Sequence, residues 1–195
     1  MKEVTIKLYD LEDLTEKAQK IAYEKWMCNF EYFWHSENMD TLKEFSKIFG
    51  IEVNEFEYDQ FNYWYRFNVR EEFPENMRGD RLVKYIQNNF MWILSKPKVY
   101  AKNGKKRISR IFREAKDLTG FYLDSAIISP ILDFIKSPKN IGFEELINEC
   151  LDAFFKACRD DFAYCCSFEA FKEQCEANEY LFEESGEMYK KYRNK

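Results

Sequence analysis

Glycine and proline are scarce, at six and four residues in a chain of 195. That leaves little material for flexible linkers. None of the glycines sits in a phosphate-cradling pattern, since neither G-x-G-x-x-G nor G-x-x-x-x-G-K-[ST] occurs. Histidine is scarcer still. His35, the only one, removes most Ser-His and Cys-His routes to an activated nucleophile, and no G-x-S-x-G elbow is present. Its place between Trp34 and Ser36, near a helix end, suits a structural or surface role. No C-x-x-C pair occurs, so a zinc site is not expected. No apolar run approaches the ~18 residues of a membrane span. The opening residues alternate rather than run apolar, so no signal peptide is expected. No cofactor is expected either.

Aromatic residues are abundant: 19 Phe, 13 Tyr and 4 Trp bring them to 18% of a chain that is 46% hydrophobic. Such a chain can bury enough apolar surface to fold, which disordered segments cannot. One α+β domain over residues 1–195 is expected, with 183–195 as a polar tail. The net charge of −5 is mildly acidic. It argues against a generic DNA-binding surface and is too small to argue nucleic-acid mimicry. Five of the six cysteines, Cys150, Cys158, Cys165, Cys166 and Cys175, lie near the C-terminus, and Cys28 stands apart. Cys150, Cys158 and Cys165 recur at roughly helical spacing, as small buried hydrophobes do. Free thiols, with neither disulfide nor zinc, imply a reducing cytoplasm.

Periodicity gives the elements. Val4, Ile6 and Leu8 alternate as a strand. Asp13 or Thr15 can cap a helix carrying Leu14, Ala18, Ile21, Ala22 and Trp26 and continuing towards Phe33. Ser36 or Asn38 can cap a second, carrying Leu42, Phe45 and Phe49 and ending at Gly50. Ile51–Tyr58 and the alternating Phe61, Tyr63, Tyr65, Phe67 and Val69 read as two strands joined near Asp59-Gln60. A helix from about Arg78 to Leu94 presents Leu82, Ile86, Phe90 and Ile93 and ends before Pro97. Asn103-Gly104 marks a hairpin between 98–102 and 105–112. Leu118-Thr119-Gly120 is a turn. Ser129-Pro130 reads as the start of a short helix through Ile135. A loop from Pro138 to Gly142 precedes a long helical stripe of Phe143, Ile147, Cys150, Leu151, Phe154, Cys158 and Phe162. Ser167 can cap a last helix with Phe168, Phe171 and Cys175. Strands and helices mix without a regular β-α-β period, so the expected fold is α+β, a small, mostly antiparallel sheet packed with five to six helices.

Adjacent carboxylates are common: Glu71-Glu72, Glu144-Glu145, Asp160-Asp161 and Glu183-Glu184. Neighbours on a helix point about 100° apart, so these doublets do not converge on one site and read as solvated faces. The cations are more telling. From Lys96 to Arg113 the chain carries Lys96, Lys98, Lys102, Lys105, Lys106, Arg107, Arg110 and Arg113 with no acid among them. A two-residue Asn103-Gly104 turn sets Lys102 opposite Lys105 and Tyr100 opposite Arg107. Like charges opposite one another disfavour a ladder. One reading is a contact for a polyanion, through Lys98, Lys102, Lys105, Lys106, Arg107 and Arg110. The other is an edge hairpin that its lysines protect from aggregation. After Phe143, the acids Glu144, Glu145, Glu149, Asp152, Asp160 and Asp161 form either a solvated helix face or a patch for a basic partner.

Several stretches resemble segments of a family of small Firmicutes phage and prophage proteins. They are Lys98–Arg110 (KVYAKNGKKRISR), Leu118–Asp124 (LTGFYLD), Ala177–Tyr189 (ANEYLFEESGEMY), the expected opening strand and the Leu14-Thr15-Glu16-Lys17-Ala18 helix start. Members are often labelled hypothetical, or antitoxin of a toxin–antitoxin stability system, and the resemblance brings no catalytic residues. Family members often carry a glycine-rich, acid-containing segment after the second helix, whereas Phe56–Phe73 here is aromatic and has no glycine. The resemblance implies a phage-type accessory protein, not an enzyme, that inhibits a bacterial defence system in the manner of an anti-CRISPR protein. Its partner would be a host protein or ribonucleoprotein effector, with nucleic-acid backbone contact through the basic hairpin. Two alternatives stay open: an antitoxin that neutralises a toxin by direct binding, and a metal-dependent nuclease or nucleotide-degrading enzyme using Asp and Glu.

Overall fold

A computed structural model describes residues 5–69, 76–94, 99–102, 105–108 and 117–189, with the backbone alone at 92–93, 99–102 and 105–108. The fold is α+β, predominantly helical with small antiparallel β pairs. The chain divides into two compact units, Met1–Tyr32 with Asp161–Lys195, and Phe33–Asp160.

In the first unit, helix α1 (Glu16–Met27) starts where the Thr15 hydroxyl accepts from the Ala18 amide at 3.3 Å. This satisfies one of the amides that a helix start leaves without a partner. Leu14, Ala18 and Ala22 line its buried side together with Leu11, Phe171, Cys175 and Phe182. The helix ends at Met27 rather than continuing towards Phe33. The last helix of the chain is capped by Ser167, whose side chain accepts from Ala170, and spans Phe168–Ala177. Residues 5–8 do not form the expected strand, since no described strand pairs with them, and Val4 lies outside the described residues. Only Tyr9 pairs, in an isolated bridge with Phe182. The segment from Glu183 is not a tail as far as Tyr189. Glu183 donates to the Glu187 carbonyl at 2.8 Å, Tyr189 donates to that of Leu181 at 2.8 Å, and Met188 bridges to the buried Phe182. The polar composition of 183–189 belongs to a folded turn, and 190–195 lie outside the described residues.

The second unit begins with α2 (His35–Phe49), which no side chain caps, so neither Ser36 nor Asn38 plays the expected part. Asn38 is instead buried. Gly50 closes the helix in the left-handed conformation at φ 60°, where glycine avoids the Cβ penalty. Strands β1 (Ile51–Tyr58) and β2 (Tyr63–Val69) follow as an antiparallel hairpin. Their register slips between Val53 and Glu55, leaving Asn54 as an extra residue. The slip has a clear consequence. Ile51 and Val53 share one face, and the bulge keeps Phe56 and Tyr58 on it although their spacing from Val53 is out of phase. Opposite them stand Val69, Phe67, Tyr65 and Tyr63. This aromatic face packs on the core, while Glu55, Glu57, Trp64, Arg66 and Asn68 are exposed. The alternation expected in β2 is therefore observed, except that Phe61 falls in the turn and faces water.

Helix α3 (Gly79–Asn89) gives way at Phe90 to the short α4 (Met91–Leu94), so the expected single helix is interrupted. Asn89 donates from its side chain to the Tyr85 carbonyl at 2.8 Å, competing with helix continuation. Strands β3 (Val99–Lys102) and β4 (Lys105–Ile108) form a second antiparallel pair. Helix α5 (Asp124–Lys136) starts five residues before the expected Ser129, and Pro130 lies inside it. The start is set by Asp124, whose carboxylate takes the Thr119 and Gly120 amides, each at 2.8 Å. Proline's fixed φ is compatible with the helix, at the cost of one backbone hydrogen bond. Helix α6 (Phe143–Cys165) carries the expected stripe, with Phe143, Ile147, Cys150, Leu151, Phe154 and Cys158 buried. Phe155 of α6 receives the hairpin. Tyr65 stacks on it at 5.0 Å between centroids and Phe56 lies at 5.5 Å. The element Phe168–Ala177 is α7.

Candidate functional site

The basic hairpin is seen through its backbone. Lys102 pairs with Lys105, Ala101 with Lys106, Tyr100 with Arg107 and Val99 with Ile108, the register expected from Asn103-Gly104. Strand pleating then sorts the positions. Tyr100, Lys102, Lys105 and Arg107 belong to one face. Val99, Ala101, Lys106 and Ile108 belong to the other. The six residues singled out in the sequence therefore do not all share a surface, because Lys106 belongs with the apolar positions. Lys98 and Arg110 lie outside the described residues.

Four of the six acids singled out on α6 are engaged, while Glu144 and Glu145 are exposed. Asp152 accepts from the Tyr63 hydroxyl at 2.8 Å, and Lys139 holds Glu149 at 3.0 Å. Arg159 pairs with Asp160 at 2.6 Å and lies over the Tyr63 ring. Asp161 takes the Tyr32 hydroxyl at 2.5 Å. Asp152 and Asp161 thus anchor tyrosine side chains, while Glu149 and Asp160 are matched by neighbouring cations. Among the described residues no group of three or more His, Cys, Asp and Glu side chains is placed to hold a metal. The six cysteines are free. Cys150, Cys158, Cys166 and Cys175 are buried, and burial pushes the Cys175 thiol up to about 11. Cys28 is exposed and belongs to no core. His35 is a structural link, with Nδ1 2.9 Å from the Tyr58 hydroxyl and its ring stacked on that of Tyr58. No described helix is long and apolar enough to cross a membrane.

Sequence reasoning missed the turn end of the β1–β2 hairpin. The Asp59 carboxylate accepts from the amides of Phe61 at 2.6 Å and Asn62 at 2.8 Å, and its own amide donates to the Asn62 carbonyl at 3.0 Å. Those backbone donors hold the Asp59 carboxyl below its usual range. The turn is thus fixed from within, and it carries Phe61 at 71% exposure. Trp64, also exposed, follows on the outer face. The His35–Tyr58 contact ties the start of α2, where Phe33 and Trp34 are exposed, to the same end of the hairpin. A signal was present in the sequence. Turns favour Gly, Pro, Asn, Asp and Ser, and a phenylalanine in that position has no local reason to be there. Clustered exposed aromatics are the usual composition of a contact surface.

No protein-family model, no curated protein and no solved structure matches the chain.

Proposed function

We propose that the chain is a phage-type accessory protein. It inhibits a bacterial defence system in the host cytoplasm by binding a nuclease, or its nucleic-acid complex, directly. The observation that supports this reading is the register of β3 and β4. It sets Lys102 opposite Lys105, and Tyr100 with Arg107 on the same face. Opposed lysines repel, and a polyanion in place of counterions relieves that repulsion. An effector already holding a guide or target strand offers such a polyanion beside a protein surface. The chain's own charge of −5 weakens its hold on free nucleic acid, so a composite target should bind more tightly than bare DNA does.

The test is phage plating on a host that carries a nuclease-based defence system, with and without the chain. Expression of the parent should restore plating. The triple substitution Lys105→Ala, Lys106→Ala and Arg107→Ala should restore it less, at equal protein level. Unchanged protection by the triple variant would remove the hairpin from the mechanism. If the chain instead rescued growth from a neighbouring toxin gene and left every nuclease system active, it would be an antitoxin and the proposal would fall.

A further inference from the structure

We propose that Glu57 and Trp64, on the outer face of the β1–β2 hairpin, form a receptor for an arginine side chain of a partner protein, with Phe61 as the adjoining apolar anchor. The inference stands apart from the basic hairpin and from the identity of the target.

The argument begins with two successive cross-strand pairs on one exposed face, Glu55 opposite Arg66 and Glu57 opposite Trp64. In the first, the Arg66 guanidinium lies 3.2 Å from the Glu55 carboxylate, so both charges are matched within the hairpin. In the second, an indole stands where the cation would be. The Trp64 Nε1–H donates to a Glu57 carboxylate oxygen at 3.1 Å. That bond occupies the only polar donor of the indole and leaves its ring face to be covered. Among the described residues no cation pairs with Glu57, and Trp64 keeps 45% of its surface. A carboxylate fixed beside an open aromatic face suits a guanidinium, which stacks on the ring while its N–H edge reaches the carboxylate. An ammonium can satisfy the charge but cannot stack and hydrogen-bond in the same plane.

The surroundings favour a protein as the source of that cation. Asp59, in the turn, adds a second anion that repels phosphate. The turn that presents Phe61 is fixed by three hydrogen bonds, so its backbone loses little conformational freedom when the side chain is covered. Tryptophan and arginine are both enriched among the residues that carry most binding energy at protein interfaces.

The probe is an acetylated peptide of alternating arginine and glycine, with its lysine counterpart as comparison. Binding is followed by fluorescence and by the Trp64 indole N–H resonance, assigned with Trp64→Leu. The arginine peptide should shift that resonance and bind roughly fivefold or more tighter than the lysine peptide. Glu57→Gln and Trp64→Leu should each weaken it about tenfold. Trp64→Phe keeps an aromatic face and should retain most of the affinity, which separates lost recognition from lost folding. Glu12→Gln removes the same charge from the other unit and should change nothing. Equal weakening by Glu12→Gln and Glu57→Gln would mean attraction to net charge alone and would overturn the proposal. So would equal affinity for both peptides, or a Trp64 resonance that stays still. Self-association abolished by Phe61→Ala would also overturn it, by assigning this face to a second copy of the chain.

Discussion

Gly186 lies so close to the backbone of Ala18 that a Cβ at residue 186 would stand 2.2 Å from the Ala18 carbonyl oxygen and 3.2 Å from its Cα. Its φ of 86° is one that side chains rarely adopt. Close approach and conformation therefore both require glycine. Gly186→Ala should cost at least ~2 kcal/mol, since strain and a backbone clash add. Thermal unfolding followed by circular dichroism should show the midpoint fall by several degrees. A variant as stable as the parent would mean that residues 183–189 do not stay docked on α1.

Asp124 is 4% exposed and accepts four hydrogen bonds: from the amides of Thr119 and Gly120 and the hydroxyls of Thr119 and Thr41. Asp124→Ala would strand those donors in a dry place, at about 2–4 kcal/mol. Thr41→Val removes only one donor and should cost about 1 kcal/mol. Urea denaturation of the two variants should rank them in that order. Equal losses would mean that the carboxylate is no more than a local helix start.

The bulge at Asn54 makes a sharper prediction. Deleting Asn54 removes the extra residue and leaves Phe56 and Tyr58 in phase with Val53, still on the face that meets Phe155, so it should cost little more than Asn54→Ala, under ~1 kcal/mol. Deleting Asn54 and Glu55 together would turn both aromatics to the outer face. The expected loss then exceeds ~3 kcal/mol, the scale for removing large aromatics from a core. Denaturant midpoints for the single and double deletions decide it. If the double deletion were tolerated, the face that Phe56 and Tyr58 occupy would not matter to stability.

The bulge also marks the boundary of what could be read from the sequence. The apolar positions of β1 fall at 51, 53, 56 and 58, and the step of three between Val53 and Phe56 was a visible sign of a bulge within an otherwise period-2 strand. The α6 stripe, the Gly50 terminus and the Thr15 and Ser167 caps were legible because each depends on local spacing. The start of α5 was not. Ser129-Pro130 is a good local start, and it yielded to a carboxylate that reaches back to Thr119 and across to Thr41, a tertiary interaction. Over residues 5–8 the expected strand is absent for the same kind of reason, since alternation gives a strand only where a partner edge exists. At the surface, the like-charge register of the basic hairpin followed from Asn103-Gly104. The Glu57–Trp64 pair needed the register across the hairpin before the missing cation became visible.

Stability should also fall in strong alkali through Tyr65. Its hydroxyl bonds the Asn148 carbonyl and side-chain oxygen, each at 3.1 Å. Burial first, then the nearby Asp152 and Tyr63, pushes it up to about 12. The folded chain thus holds this proton more tightly than the unfolded chain, whose tyrosines ionise near ~10. The stability it contributes is complete below pH ~10 and drains away as pH rises towards 12. Tyr65→Phe should flatten the decline between pH ~9 and ~11.5, and adding Tyr63→Phe should flatten it further, because Tyr63 is raised too, by burial and Asp152. Denaturation midpoints across that range give the slope. Identical slopes for parent and variants would place the alkaline loss elsewhere.

The register of the basic hairpin turns a general expectation of charge into one about faces. Lys105 and Arg107 share a face with Lys102, whereas Lys106 sits opposite Ala101 on the other. If phosphates bind, they should distinguish these positions although the residues are consecutive. The measurement is fluorescence anisotropy with a labelled mixed-sequence duplex over a range of salt. The double substitution Lys105→Ala and Arg107→Ala should make the dependence of log K on log salt shallower by about two, near the ~0.9 expected for each phosphate no longer neutralised. Lys106→Ala should leave that slope unchanged, although it removes an equal charge from the same strand. Surface substitutions of this kind cost little stability, so all the variants should unfold at nearly the parent's midpoint. A smaller slope for Lys106→Ala, matching that of either partner residue alone, would mean that charge density at the hairpin tip matters and its faces do not. No change in slope for any variant would leave the lysines to a different task, keeping an open strand edge from pairing with other chains.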